Sequence, residues 1–569
     1  MTSLIFPPSH RGCRFIRTLA IASIGILGST VIATAQSAHR HDDPGFRFYP
    51  GNLVVSRSVY DNNPNNVTVG EILPPGCAST QPGCPTTGAP DNGLYPYVFN
   101  NDLYDGSFGI TSRIYLDQIT PNGWLINSLE VPNSLERGIK SSSDQLVTSF
   151  SSKSELALNL STSGKYLTFI DYVAPVNAID VSNANTPLVI DDTNQVGQEF
   201  YRAAATVDAY GYFHFSLTNA YSGNNGRAAI LNDADGSDVF YTAGNAGNGS
   251  NPQPDGVILG AGAQIFDALK APEAFQNPGL PTPLGSFSVT QLGDKADKIG
   301  KDDNFRGLTV FNNVVYFTKG SGGNGVNTVY FVDTTGSACP KGTGVPSTSA
   351  VSPTTPLVYD PSTLQTAGLP NNMCILAGFP TLSNKNGTPV NFPFGIWFAN
   401  ANTLYVADEG DGYTGGTDLY IHAAAQTNAG LEKWVFKSTT GQWTLAYTLQ
   451  NGLNLGTPYT VHGYPTGTNS ATGLPWSPAT DGLRNITGRV NRDGTVTIWA
   501  ITSTVSGGGD TGADPNKLVA ITDRLNNISA AAAVNEKFVT VRSAGFAEVL
   551  RGVSFTPTGD DHHDGHGWN

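Results

Sequence analysis

Apolar residues along this 569-residue chain come in short bursts. From Arg306 the sequence reads RGLTVFNNVVYFTKGSGGNG. An apolar run meets an Asn-Asn turn, a second apolar run carries aromatics, and a glycine-rich loop follows. Short apolar runs joined by Asn-, Asp- or Gly-rich turns predict β-hairpins. The same order recurs in RAAILNDADGSDVFYTAGNAGNG from Arg227, FGIWFANANTLYVADEGDGYTGG from Phe394 and RNITGRVNRDGTVTIWAITSTVSGGGDTG from Arg484. SELALNLSTSGKYLTFIDYVAP from Ser154 and FGITSRIYLDQITPNGWLINSLEVP from Phe108 fit more loosely. A third strand follows in several units, as in NTVYFVDTTG from Asn327, LEKWVFKSTTGQWTLAYTL from Leu431 and NKLVAITDRL from Asn516.

A repeated meander of three or four strands is the unit of a β-propeller. Unit starts at 108, 154, 227, 306, 394, 484 and 551 predict seven blades. Six or eight are the alternatives, because 182–225 has room for part of another blade. Stretches rich in Gly, Pro, Ser and Thr, such as Cys339–Leu369 and Leu453–Asp481, read as insertions on the propeller faces. RGVSFTPTG from Arg551 matches the first strand of a unit and lacks a second. NLVVSRSVYD from Asn52 is expected to supply it, so that both ends of the chain close the ring and leave no open edge. The expected domain is an all-β propeller over 52–557, between tails at 39–51 and 558–569.

On these repeats the chain resembles the secreted bacterial β-propellers of lactonase-like and streptogramin-lyase-like architecture, over roughly residues 52–557. The resemblance implies an architecture. Such propellers include hydrolases, lyases, lactonases and pure binding proteins, so fold alone leaves the function open. Neither a Trp-Asp nor a kelch-type diglycine signature repeats.

Composition adds a compartment. Arg11, Arg14 and Arg17 precede the apolar run LAIASIGILGSTVIATA, with Ala33 and Ala35, or Ala38, suited to cleavage. This predicts a signal peptide over 1–38 and a secreted protein, extracellular or periplasmic. The run is short, and broken by Gly and Ser, for the alternative of a retained membrane anchor. Of five cysteines, Cys13 precedes this run. The remaining Cys77, Cys84, Cys339 and Cys374 are an even set, which in an exported chain predicts disulfides. Three pairings are open; the local one joins Cys77 to Cys84 and Cys339 to Cys374. Charged residues are only 13% and the net charge is −14, which argues against nucleic acid or anionic membrane as partners. A monomer is expected.

Candidate chemistry begins with a pattern at the unit starts, acid-x-x-Arg-small-apolar. It appears as DNFRGL, DGLRNI and EVLRGV around Arg306, Arg484 and Arg551, and as the variant NNGRAA around Arg227. The first strand of a propeller blade lines the central channel. Arg227, Arg306, Arg484 and Arg551, with Lys153, are therefore expected at the channel mouth as ligand-binding residues for carboxylate or phosphate. The bland alternative is that each arginine pairs with its own acid and locks a blade. Asp408, Glu409, Asp411 and Asp418 in ADEGDGYTGGTD form the most acidic loop, a candidate calcium site. Asp233, Asp235 and Asp238 are a weaker case, and a hairpin turn needs no metal. Internal histidines are His214, His422 and His462. His462 is the candidate general base, against the plainer reading of a loop histidine. His41, His562, His563 and His566 in the two tails are a candidate transition-metal set, against solvated tails.

No triad, nucleophile elbow, phosphate loop or His-Glu-x-x-His motif occurs. The functional expectation is a small-molecule or carbohydrate ligand, anionic or polyhydroxylated, at the channel mouth, with Tyr413, Trp397 and Tyr464 as stacking platforms. The alternatives are a hydrolase or lyase acting on extracellular sugars or lactones, calcium-assisted, and a surface adhesion module.

Overall fold

The computed structural model describes residues 39–40 and most of 46–559, leaving out 71–91, 100–108, 133–145, 191–195, 246–262, 269–284, 287–303, 322–324, 350–372 and a few further loop positions. Its strands form six sheets. Blade 1 runs from the channel outward as Glu548–Phe555, Leu53–Val59, Thr111–Ile119 and Leu125–Glu130. Blade 2 is Asn159–Leu160, Leu167–Tyr172, Arg202–Val207 and Tyr212–Thr218, with His39–Arg40 on its outer edge. Blade 3 is Gly226–Asn232, Val239–Gly244, Ala263–Asp267 and Gly285–Ser286. Blade 4 is Phe305–Phe311, Val314–Lys319, Thr328–Val332 and Met373–Leu376, with Thr343–Gly344 added in parallel. Blade 5 is Pro393–Asn400, Thr403–Asp408, Gly430–Lys437 and Gln442–Leu449. Blade 6 is Ala479–Val490, Thr495–Val505, Lys517–Arg524 and Val539–Ser543. Each innermost strand packs against that of the next blade, and blade 6 returns to blade 1.

The count is six, not the expected seven. The units starting at 108 and 551 are parts of one sheet: the strand after Arg551 and the strands after Phe108 both belong to blade 1. Residues 202–218 are the outer half of blade 2 rather than a further blade. The closure itself is as expected. Leu53–Val59 pairs antiparallel with Glu548–Phe555 on one side and with Thr111–Ile119 on the other.

The core lies between blades, because a sheet buried on both faces needs apolar side chains on both. Phe311 of blade 4 stacks on Phe398 of blade 5, with centroids 4.6 Å apart and planes at 4°. Trp499 of blade 6 meets Phe555 of blade 1 edge-on at 5.5 Å. Val54 and Leu116 of blade 1 share a cluster with Leu167 and Phe169 of blade 2. Aromatic burial of this kind is the dominant stabilising term.

The local signature at the unit starts has a structural cause. In blades 1, 3, 4, 5 and 6 the ladder between the first two strands slips at the same place: residues 551–552, 227, 306–307, 394–395 and 484–485. These are β-bulges, which lift a residue out of the ladder and re-aim its side chain. Small residues follow because the next inner strand comes very close. A Cβ on Gly552 would collide with the Leu156 carbonyl oxygen and come within 2.5 Å of the Leu158 amide. Gly307 faces the Phe394 carbonyl and Gly395 the Arg484 carbonyl in the same way. Hydroxyls complete the joints. Gly552 N donates to Ser56 Oγ at 2.8 Å, which donates on to Leu156 O at 2.9 Å. Gly307 N donates to Thr318 Oγ1 at 2.7 Å, which donates to Phe394 O at 2.5 Å.

Insertions cover one end of the ring. Tyr95 packs edge-on against Tyr464 at 5.7 Å and Phe546 at 4.9 Å, and Tyr97 against Trp476 at 4.8 Å. The Cys339–Cys374 disulfide is present and ties a blade 4 insertion to its outer strand. Cys77 and Cys84, the leader and the C-terminal tail lie outside the described residues. Among the described residues, no helix is long and apolar enough to cross a membrane.

Candidate functional site

The bulge arginines sort into two kinds. Arg551 of blade 1 donates to the backbone carbonyls of Ser152 and Phe150 and to Ser58 Oγ. Arg227 of blade 3 donates to Phe305 O at 2.9 Å and to the side chains of Asn304 and Asn225. Both reach toward the next blade and hold it. Blades 2 and 5 carry Leu156 and Phe394 at the equivalent position, and the Arg306 guanidinium lies over the Phe394 ring, 5.7 Å from its centroid.

Arg306 and Arg484 do something else. Both face Glu409, which follows the second strand of blade 5. Arg306 Nη2 stands 3.6 Å from Glu409 Oε1, and Arg484 Nε stands 3.5 Å from Oε2. The acid is 7% exposed at its side chain, the arginines 4% and 5%. Second strands run antiparallel to inner strands, so the loop after Asp408 and the starts of the inner strands share one end of the ring. Lys153 joins them from the segment ahead of the blade 2 inner strand. Its Nζ lies 3.8 Å from where a Cβ on Gly412 would stand, and so reaches the blade 5 loop.

The electrostatics of Glu409 follow from this geometry. Burial pushes the Glu409 carboxyl up, but Arg306, Lys153, Arg484 and Arg227 together outweigh it and hold the group below its usual range. Glu409 is the anion these cations share, while Glu155 also acts on Arg227 and Asp481 on Arg484. Burial in turn lowers Arg306 and Arg484, with Glu409 opposing the shift. Neither guanidinium is saturated. Arg306 Nη2 donates to Ser321 Oγ at 2.5 Å, yet Arg306 Nε has no hydrogen-bond partner and Arg484 Nε has only the distant Glu409 Oε2, at 3.5 Å.

The acids that precede the arginines in sequence do not pair with them. Asp481 accepts from Gly412 N at 2.9 Å and Gln426 Nε2 at 2.5 Å. Glu548 pairs with Arg57 at 2.7 Å. Asp303 lies outside the described residues. Glu409, from another blade, is the counterion. Nothing in the local sequence of either arginine marked it.

The four carboxylates of the acidic loop are separated. Asp408 accepts from Phe392 N at 2.6 Å and Gly410 N at 2.9 Å, and burial pushes it up to about 7. Glu409 turns to the arginines. Asp411 pairs with His422 Nε2 at 2.6 Å. Asp418 stands at the start of the helix Leu419–Ala425 and accepts from Tyr413 Oη at 3.3 Å. Among the described residues no three His, Cys, Asp or Glu side chains are grouped to hold a metal ion. Asp233 accepts from Ser161, Thr162 and Ser163, tying blade 3 to blade 2.

Of the proposed platforms, Trp397 is wedged against Gly488 between blades 5 and 6, and Tyr464 is buried with its hydroxyl on Asp514 at 2.6 Å. Tyr413 stacks on His422 at 4.1 Å. His462 lies in a separate cleft beside blade 6.

No protein-family model matches this sequence, and no curated protein does. Among solved structures, the chain is similar to NanB with optactamide, at 7% identity and a TM-score of 0.33, over 74% of this chain and 64% of that one. It is also similar to a mutant of the Synechocystis apocarotenoid oxygenase, at 8% identity and a TM-score of 0.20, over 79% and 59%. The chain spans less than two-thirds of the length of either. The class of the protein, a six-bladed β-propeller closed by its two ends, rests on its own six sheets.

Proposed function

We propose that this propeller binds a small anion, or the anionic group of a sugar acid, at the channel mouth between Lys153, Arg306 and Arg484. The observation that carries the reading is the gathering of cations around Glu409: Arg306, Lys153, Arg484 and Arg227 all act on it, and Arg306 keeps an unpartnered Nε donor. Cations gathered in a poorly hydrated place favour an anion that can accept charge-assisted hydrogen bonds. The near-complete burial of both arginines favours a small group such as a carboxylate or phosphate over an extended chain. Arg227 and Arg551 serve as blade staples in this reading. The disulfide fits an oxidising compartment and so an exported chain.

A hydrolase or lyase would need a carboxyl group open to the ligand. Asp408 and Asp481 are the acids raised to about 7 beside this site. Both oxygens of each already accept from Phe392, Gly410, Gly412 or Gln426. Binding is therefore the favoured reading.

The test is calorimetric titration of the mature protein with phosphate, citrate, galacturonate and neutral galactose. Anions should bind and galactose should not. Arg484→Met and Lys153→Met should each weaken anion binding by roughly tenfold or more, the equivalent of one charge-assisted hydrogen bond. Equal binding of galacturonate and galactose, or anion affinity unchanged in Arg484→Met, would overturn the proposal.

A further inference from the structure

A second feature stands apart from the channel. The insertion after blade 5, the start of the third strand of blade 6 and the link from blade 6 to blade 1 enclose a cleft of about 500 Å³. Its walls include Tyr459, Val461, His462, Lys517, Ala544 and Phe546. Val461, Ala544 and Phe546 make it largely apolar, and the Phe546 ring is braced edge-on by Tyr95 at 4.9 Å.

One charged group lines this cleft without a counterion. Lys517 Nζ sits 3.5 Å from the centroid of the Tyr459 ring. That ring is itself fixed, because Tyr459 Oη donates to Pro515 O at 2.8 Å. The aromatic face steadies the ammonium by a cation–π contact, but it accepts no conventional hydrogen bond. Among the described residues the Lys517 side chain has no ion pair and no hydrogen bond. No nearby carboxylate forms an ion pair with it, although Asp514 Oδ2 is itself without a hydrogen-bond partner. Glu548 accepts from Arg57 Nη1 at 2.7 Å and from Gly545 N at 3.0 Å. Asp514 accepts from Tyr464 Oη at 2.6 Å and Ser506 Oγ at 2.9 Å. Burial lowers the Lys517 ammonium from its ordinary range, as it does for a cation taken from water without a partner.

An ammonium with three free donors at the wall of an apolar cleft has one simple complement, a carboxylate carrying an apolar body. We propose that this cleft is a binding site for a small organic monocarboxylate, with Lys517 holding the carboxylate, Phe546 and Val461 packing the apolar part, and His462 at the rim. The site is independent of the channel-mouth arginines and does not rest on them.

The experiment is ligand-observed NMR titration with benzoate and phenylacetate, and with benzamide as the neutral isostere. Benzoate should bind with a Kd on the order of 1 mM, and benzamide roughly tenfold more weakly. Lys517→Met should lose benzoate binding by roughly tenfold while keeping the wild-type melting temperature, because the methionine stem still packs on Tyr459. The loss caused by Lys517→Met should persist in an Arg484→Met background, where carboxylate binding at the channel mouth is weakened. Equal affinity for benzoate and benzamide, or unchanged binding in Lys517→Met, would overturn the assignment. So would the absence of any benzoate binding at ~10 mM. A Lys517→Met effect that vanishes in the Arg484→Met background would mean that benzoate enters only the channel mouth, and would overturn it too.

Discussion

Arg57 and Glu548 stand 491 residues apart in sequence and are joined by an ion pair of 2.7 Å between Nη1 and Oε1. The same guanidinium donates from Nε to Asp117 Oδ2 at 2.7 Å, and Arg542 Nη2 donates to that oxygen at 2.7 Å from the last strand of blade 6. Asp117 is fully buried. One small network thus joins the first described strand of blade 1, its inner strand from the C-terminal end, and the neighbouring blade.

Removing the buried centre of that network should be worse than removing one arm. Asp117→Asn strands two guanidiniums against a neutral amide and should lower unfolding stability by about 3 kcal/mol; Arg57→Met, which leaves Arg542 on Asp117, should cost about 1–2 kcal/mol. Denaturant titrations followed by circular dichroism give both numbers. A larger loss in Arg57→Met than in Asp117→Asn would show that the weight lies on the half-buried Glu548 side instead.

The bulge glycine of the closing strand makes a steric prediction. Gly552→Ala places a methyl group against the Leu156 carbonyl and the Leu158 amide of blade 2, both backbone atoms that cannot rotate away. Overpacking of this kind costs about 1–3 kcal/mol. Gly197→Ala, where nothing lies within 4 Å of the new Cβ, is the matched control and should change little. Comparable melting of the two variants would mean that the inner strands of blades 1 and 2 can part without cost.

Much of this fold was legible because each blade repeats one physical solution. The hairpins show in the turns, and the Arg-Gly pairs at 306–307 and 551–552 show where a bulged inner strand touches its neighbour. The closing strand at Asn52 was legible because RGVSFTPTG lacked a partner. The blade count was not, since a sheet assembled from both ends presents two separate starts, at 108 and 551, that only pairing across 491 residues reveals as one. The arginines were visible in the repeat, and Lys153 was read beside it. Their counterion was not, because Glu409 comes from a different blade, while Asp481 and Glu548 sit three residues from arginines they do not touch. Lys517 carried no signal: in NKLVAITDRL it reads as the polar start of a strand, and only the insertion bearing Tyr459 makes it a cleft residue.

The Glu409 geometry separates a binding site from a structural knot. Glu409→Gln removes the internal anion and leaves Lys153, Arg306 and Arg484 uncompensated. With the site as proposed, phosphate and galacturonate should bind several-fold more tightly to Glu409→Gln, and the ligand-free protein should melt lower than wild type, with added phosphate recovering the difference. If the acid and arginines serve packing alone, the variant should melt lower with no recovery by phosphate. Melting scans with and without phosphate at fixed ionic strength decide between these, since non-specific screening acts on both proteins alike.

Glu432 supplies the pH dependence. It is 3% exposed; Oε2 accepts from Trp434 Nε1 at 2.8 Å, whereas Oε1 has no partner. Burial first, and then the charge of Asp408, push its carboxyl up to about 8. An acid raised on folding binds its proton more tightly in the folded chain than in the unfolded one. Its effect is therefore nil below about 4.5, where both states are protonated, and destabilising as pH rises toward about 8, where the unfolded carboxylate is ionised and the folded one resists ionisation. Asp408, raised to about 7, titrates with it and works in the same direction. The wild type should thus lose stability between about pH 5 and pH 8 through this pair. Glu432→Gln keeps an acceptor for Trp434 and cannot ionise. It should match the wild type near pH 5 and exceed it at pH 8 by on the order of 1–3 kcal/mol. Melting curves for both proteins across that range test it: parallel profiles would place the pH dependence elsewhere, with Asp514 and Glu536, raised to about 7 and about 8, the next acids to replace.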